Sequence, residues 1–283
     1  MNSIAFKKFK AEIGQANHFL ITILVGLDAV EDGATKRQEF KTSWEPKDIK
    51  SSVHRSRQYA IKSALAWVVD NLDMYLRLCN KNPKLYQEKE SEEISSTKHS
   101  VYQKYKCIVK NHSQISLNTK AFVDLLICWR NNMVHYDADN ELLIETKKYF
   151  HDFSNGDVTI SKYNLDIQKM LDRFEQNLYP SFKETTTMIS MTIKFVEEID
   201  SILLNEIQQN IYLDQMLKGL YKKNKKISTV FSFNNTTADK RIKKIKQLFR
   251  TQGIEEDFYN KEGIEYIEKL SQMSFKDFLN YTP

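Results

Sequence analysis

Cysteine, glycine and proline are all scarce in this chain, and each shortage removes a class of protein. The three cysteines, Cys79, Cys107 and Cys128, are odd in number, far apart and without a CxxC pair, which argues against a disulfide framework and a structural zinc site. Reduced, unpaired thiols point to the cytoplasm. Only seven glycines and four prolines occur, and none stands in GxGxxG or GxxxxGK(S/T), so the phosphate-cradling turns of dinucleotide enzymes and P-loop NTPases are missing. Long apolar runs are absent too. The longest, Phe19 to Leu27, is about half the roughly 18 residues a membrane span requires. The start, MNSIAFKKFKAEI, lacks the sequence of basic residues, apolar stretch and small-residue cleavage site that directs export. A soluble, unexported protein with no membrane partner is expected.

What the chain has is core material and helical periodicity. Its 283 residues are 41% hydrophobic and 28% charged, enough for a globular core in one large domain or two ordinary ones. Residues 16–31 read as a buried helix, apolar nearly all round. Pro46 is placed to open a long helix reaching Asn80, with Ala60, Ile61, Ala64, Leu65, Val68, Leu72, Tyr75 and Leu76 spaced by three and four. Residues 88–100 (EKESEEISSTKHS) carry no apolar face and read as a mobile excursion. A helix over 119–132 sets Phe122, Leu125, Leu126 and Trp129 on one side. Asp139 then reads as the N-cap of a helix through Phe150, with Glu141 suiting its positive start. Asn155-Gly156 and the following DVTIS suggest a turn and strand, paired with STVFSF at 228–233. Pro180 is expected to open a helix reaching Leu220, followed by helices over 237–252, 260–271 and 275–281, the last capped by Ser274. The fold class expected is all-α with minor β, a helical bundle over 1–222 followed by a basic helical region over 223–283.

One segment carries chemistry. Residues 125–140 read LLICWRNNMVHYDADN, an apolar helix running into Arg130, Asn131 and Asn132 and then His135. Arg130 offers a permanent charge and a planar fork of donors matching phosphate oxygens, and His135 exchanges a proton near neutral pH. Together they are what metal-free phosphodiester cleavage needs. On a straight helix five residues place them roughly 140° apart, so convergence on one phosphate calls for a break near Asn131-Asn132 or for a second copy of the motif.

This pattern, Arg-Asn-x-x-x-His after an apolar helix in an all-helical chain, resembles the R-x(4 to 6)-H signature of HEPN-domain ribonucleases. The likeness covers residues 1 to about 222 by helical architecture and is sharp only over 125–140. It implies a short helical bundle that dimerises to bring two motifs into one cleft, with catalytic Arg130 and His135, Asn131 as the polar residue after the arginine, and neither cofactor nor metal. It further implies a metal-independent endoribonuclease of the toxin or antiphage-effector kind, with RNA as substrate and an antitoxin or regulatory protein as a further partner. Two other readings stay open. Arg130 is then a salt-bridging residue at a helix end, Asn131 a C-cap and His135 a turn histidine, in a non-catalytic module that binds nucleic acid or protein. Alternatively His135, Asp137 and Asp139 are metal ligands, although they make an incomplete set.

Positive charge is concentrated elsewhere. Between Gln215 and Arg250 stand eleven Lys/Arg and the single acid Asp239, whereas residues 1–214 are nearly balanced. Lys222, Lys223, Lys225, Lys226, Lys240, Arg241, Lys243 and Lys244 are candidate phosphate contacts, and Tyr221, Phe231 and Phe233 candidate base-stacking rings. In the second run Ile242, Ile245 and Phe249 make a narrow apolar stripe. A solvated face, or a dock for an acidic protein, fits the same residues.

Overall fold

The computed structural model describes residues 2–134, 141–154, 165–224, 228, 231 and 237–282, and these build an all-α protein. The order is α1 (Ile4–Ile13), α2 (Ala16–Glu31), α3 (Ile49–Cys79), α4 (Glu88–Ser96), α5 (Val101–Asn111), α6 (Leu117–Val134), α7 (Ile144–Ser154), α8 (Ile167–Glu175), α9 (Phe182–Glu206), α10 (Gln209–Lys223) and α11 (Ala238–Thr251). A 3-10 turn (Glu256–Phe258), α12 (Lys261–Gln272) and α13 (Phe275–Asn280) complete it. There is no strand among the described residues, and the expected hairpin lies almost entirely outside them. Two compact units divide the chain: one comprises Phe9–Met74 and His99–Val196, the other Met1–Lys8, Tyr75–Lys98 and Glu197–Pro283. The expected boundary at 222/223 falls inside the second.

In the first unit α6 is the core helix. Every residue from Ala121 to Trp129 is buried, because the apolar residues here are consecutive rather than confined to one stripe. Phe122 meets Phe150 of α7 edge-on at 5.3 Å between ring centroids, and Trp129 meets Phe174 of α8 at 5.7 Å. The Trp129 indole N–H donates to the Leu178 carbonyl at 2.9 Å, so this large ring is buried without orphaning its donor. The Tyr105 hydroxyl donates to the Lys120 carbonyl at 2.8 Å, fastening α5 to α6.

The second unit is organised by buried polar residues. Asp200 of α9 accepts from the Ser3 amide at 2.8 Å, from the Ser3 hydroxyl and from the Tyr75 hydroxyl at 3.2 Å. Burial raises its carboxyl above the ordinary range, opposed by the Ser3 and Tyr75 hydrogen bonds. The Gln209 side chain donates to the Phe258 carbonyl at 2.6 Å and accepts from the Asn260 amide at 2.9 Å. Arg241, Ile245 and Phe249 are the buried stripe of α11, which displaces the expected one: Ile242 is only half-buried and Arg241 takes an inward place.

Several expectations are overturned, each for a local reason. Residues 88–100 are not an excursion, since α4 occupies 88–96. Its acids Glu88 and Glu90 sit at the positive helix start, Ile94 is buried, and the Asn80 amide donates to the Ser91 carbonyl at 3.2 Å and the Ser95 hydroxyl at 3.0 Å. The long helix after Pro180 is two helices. The chain breaks at Gln208, and the Glu262 carboxylate accepts from the Gln209 amide at 3.0 Å, supplying a cap for α10 from α12. Helix α3 starts at Ile49, not Pro46, with Asp48 accepting from the Ser51 amide at 3.3 Å. Helix α7 starts at Ile144, and Asp139, its expected cap, lies outside the described residues.

Helix α2 forms where expected but is not buried. Only Ala16 and Leu20 are buried in it, while Phe19, Ile21, Ile23 and Val25 are exposed. The apolar stretch across α1 and α2, Ile4–Glu31, is long and apolar enough to cross a membrane by length and composition alone. Phe19→Ser and Val25→Ser are expected to change unfolding free energy by no more than about 0.5 kcal/mol, as at other exposed positions. Buried residues of this size cost several times more, so urea unfolding of the two variants checks the placement.

Candidate functional site at the end of α6

Where α6 leaves the core its residues turn polar, and Arg130 is the first. It is half-buried, its side chain 16% exposed. One terminal nitrogen donates to the Asn131 side-chain oxygen at 2.9 Å, and the other pairs with Asp70 of α3 at 3.2 Å. Asp70 is 67% exposed, so solvent screens the pair and its net contribution is small, about 0–1 kcal/mol. What the pair does is aim the guanidinium fork. A phosphate oxygen arriving at Asp70's place would meet a fixed permanent cation.

Of the two routes to convergence, the break near Asn131-Asn132 is not there. Helix α6 continues through both residues to Val134, because each asparagine keeps helical backbone and half-buried surroundings. His135, Asp137 and Asp139 lie outside the described residues. Among the described residues no group of three or more His, Cys, Asp or Glu could hold a metal ion.

The chain re-enters the described structure at Glu141, where three side chains of the core fasten it. Asp124 of α6 accepts from the Leu143 amide at 2.8 Å, the Tyr102 hydroxyl donates to the Glu141 carbonyl at 2.7 Å, and the Cys128 thiol reaches the same carbonyl at 3.7 Å. Asp124 thus places a carboxylate at the start of α7, where the helix dipole favours it. Burial pushes its carboxyl above the usual range, and hydrogen bonds from Thr146, the Leu143 amide, Tyr102 and Cys128 pull the other way. The segment containing His135 is bracketed by the end of the core helix on one side and by this anchor on the other.

Beside the end of α6 opens a cleft of about 530 Å³, lined by Asn132, Glu141, Lys147, His151, Gln168 and Asn177 among others. Glu141 and Lys147 pair across 3.1 Å, and His151 is exposed next to Asp152 at 3.4 Å. Sequence reasoning missed Asp70, Asp124 and His151. A signal existed for Asp124, the one charge in the buried run 121–129, since a carboxylate in such a place must find donors.

The candidate phosphate contacts are spread over the second unit. Lys222 and Lys223 end α10 and are exposed, as are Lys240, Lys243 and Lys244 of α11, while Lys225, Lys226 and Phe233 lie outside the described residues. Arg241 is 9% exposed and faces inward. Two of the three aromatic residues expected to stack on bases are committed to packing. Phe231 is buried and stacks on Phe278 at 4.6 Å, and Tyr221 meets Phe275 at 5.0 Å.

No protein-family model matches this chain, and no curated protein or solved structure matches it either.

Proposed function

We propose that the chain is a HEPN-like, metal-independent endoribonuclease that works as a homodimer. The observation that carries the reading is the fixed Arg130 guanidinium at the end of the core helix, five residues before His135 in sequence. In the proposed reaction an RNA 2′-hydroxyl attacks the adjacent phosphorus as His135 of one protomer accepts its proton. The bond to the 5′-oxygen breaks, and the second protomer's copy of His135 gives that oxygen a proton. Arg130 offsets the charge growing on the non-bridging oxygens, and Asn131 holds the fork in position. The products are a 2′,3′-cyclic phosphate and a 5′-hydroxyl. A dimer supplies base and acid at once, and the unbroken course of α6 favours that route over convergence within one chain. An antitoxin-like or other regulatory protein would restrain such an activity in the cytoplasm.

The Arg130–Asp70 ion pair favours one alternative, a non-catalytic module in which Arg130 only ties α6 to α3. Incubation of the purified chain with total RNA in EDTA separates them. Cleavage is expected, and His135→Ala is expected to abolish it with the far-ultraviolet circular dichroism unchanged. Intact RNA with the wild type, or equal cleavage by the variant, selects the non-catalytic reading.

A further inference from the structure

The outward face of α3 leads to Arg130, and it is basic. From Ile49 to Val69 it contains Lys50, Arg55, Arg57 and Lys62 and no acid. Two of its largest rings are held out in solvent: Tyr59 is 73% exposed and Trp67 48%. At about 100° per residue, Arg55, Tyr59, Lys62, Ser63, Trp67 and Asp70 fall within a face of roughly 140°. Arg57 is turned aside, paired with Asp28 and Glu31 of α2. Trp67 stands one turn before Asp70, the residue that pairs with Arg130.

We infer that this face of α3 is the platform on which a single-stranded RNA lies as it approaches Arg130, an inference that takes its substrate from the ribonuclease reading. Exposed aromatic rings cost free energy in water and take unpaired bases without regard to sequence, while cations beside them follow the phosphate backbone. Eight residues of helix separate the two rings by about 12 Å, so each receives its own base. Arg55 and Lys62 flank Tyr59 for the phosphates. A second copy of this chain fits the face poorly, because a surface whose charges from Ile49 to Val69 are all basic sets like charges together when pressed on itself. Continuity with Arg130 is what favours RNA over an anionic membrane surface. Of the rings expected to stack on bases in the C-terminal region, Phe231 is buried and Tyr221 is packed on Phe275, whereas α3 joins cations and exposed rings on one described helix face.

The test uses the full chain and a fluorescein-labelled 12-nucleotide RNA with 2′-O-methyl groups throughout, which binds but lacks the attacking hydroxyl, with anisotropy as readout. Tyr59→Ala/Trp67→Ala should weaken binding by about tenfold or more, while Tyr59→Phe/Trp67→Phe should stay within about threefold of wild type, as stacking on a ring predicts. Arg55→Gln/Lys62→Gln should flatten the logarithmic salt dependence by about 0.7 for each phosphate no longer neutralised. The inference is overturned if the wild type does not bind, if the Ala pair binds equally well, if its loss of binding accompanies a change from dimer to monomer in light scattering, or if it loses affinity for phosphatidylserine vesicles and not for the oligonucleotide. Ring-dependent binding by a chain that leaves total RNA intact would remove the enzyme and keep the platform. Cleavage with ring-independent binding would do the opposite.

Discussion

Arg130→Ala is expected to lower metal-independent RNA cleavage by three orders of magnitude or more, since loss of one preorganised charge-stabilising group costs about 10²–10³ in rate and phosphate positioning is lost with it. Stability is expected to fall by only about 1 kcal/mol. The partner left behind, Asp70, is largely exposed and returns to water, so no buried charge is stranded. The remaining cost is the packing of the arginine stem. Arg130→Lys keeps the charge and loses the fork, so activity should stay low although the protein melts as the wild type does. Initial rates on RNA in EDTA, set beside melting curves, check all three. A variant that unfolds by several kcal/mol, or one that cleaves normally, would make Arg130 a strut.

Asp124→Ala is expected to have the largest effect on stability of any single polar change near the site. It strips the part-buried Leu143 amide and the buried Thr146 of a shared acceptor, and donors left without one cost about 1–3 kcal/mol each when buried, giving a loss of about 2–6 kcal/mol. It should also reduce cleavage at temperatures where the variant stays folded, because the chain after His135 loses its anchor. Asp124→Asn separates charge from hydrogen bonding through its pH dependence. The folded carboxyl is raised above 3.8, so the stability linked to its protonated form is fully present below the unfolded value and is lost as pH rises through the folded one. Asparagine cannot ionise and escapes that loss. The stability of Asp124→Asn relative to wild type should therefore improve between pH 3.5 and pH 7, measured by urea titration, whereas the Ala variant should be destabilised at both.

These two residues also mark how far the sequence could be read. Helix α6 was legible because its residues from Ala121 to Trp129 are apolar but for Asp124, and α11 and α13 because Thr237 and Ser274 cap them through their own side chains. Helix α4 was not, as its support is the single buried Ile94 and hydrogen bonds from Asn80 on another element. The break before α10 depends on Glu262, 53 residues away from Gln209. Helix α2 shows the opposite error. An all-round apolar composition gives no sign of which face finds a neighbour, and here Phe19, Ile21, Ile23 and Val25 stay exposed while Ala16 and Leu20 are buried. Arg130 could be singled out by residue type and spacing, but Asp70, 60 residues away, could not. Asp124 was readable in principle, as a charge in a run with no room for an unpartnered one.

The central claim is that the 2′-hydroxyl of RNA is the nucleophile and that Arg130 and His135 serve its attack. It is tested most directly by following one single-stranded oligonucleotide in two forms, unmodified and 2′-O-methylated throughout, with the full chain in EDTA, and identifying the product ends by mass spectrometry. The unmodified strand is expected to be cut to 2′,3′-cyclic phosphate and 5′-hydroxyl ends and the methylated strand to be bound and left whole, while Arg130→Ala and His135→Ala should each leave both strands whole. Cleavage of the methylated strand, 5′-phosphate ends, or an unmodified strand left intact by the wild type would contradict it.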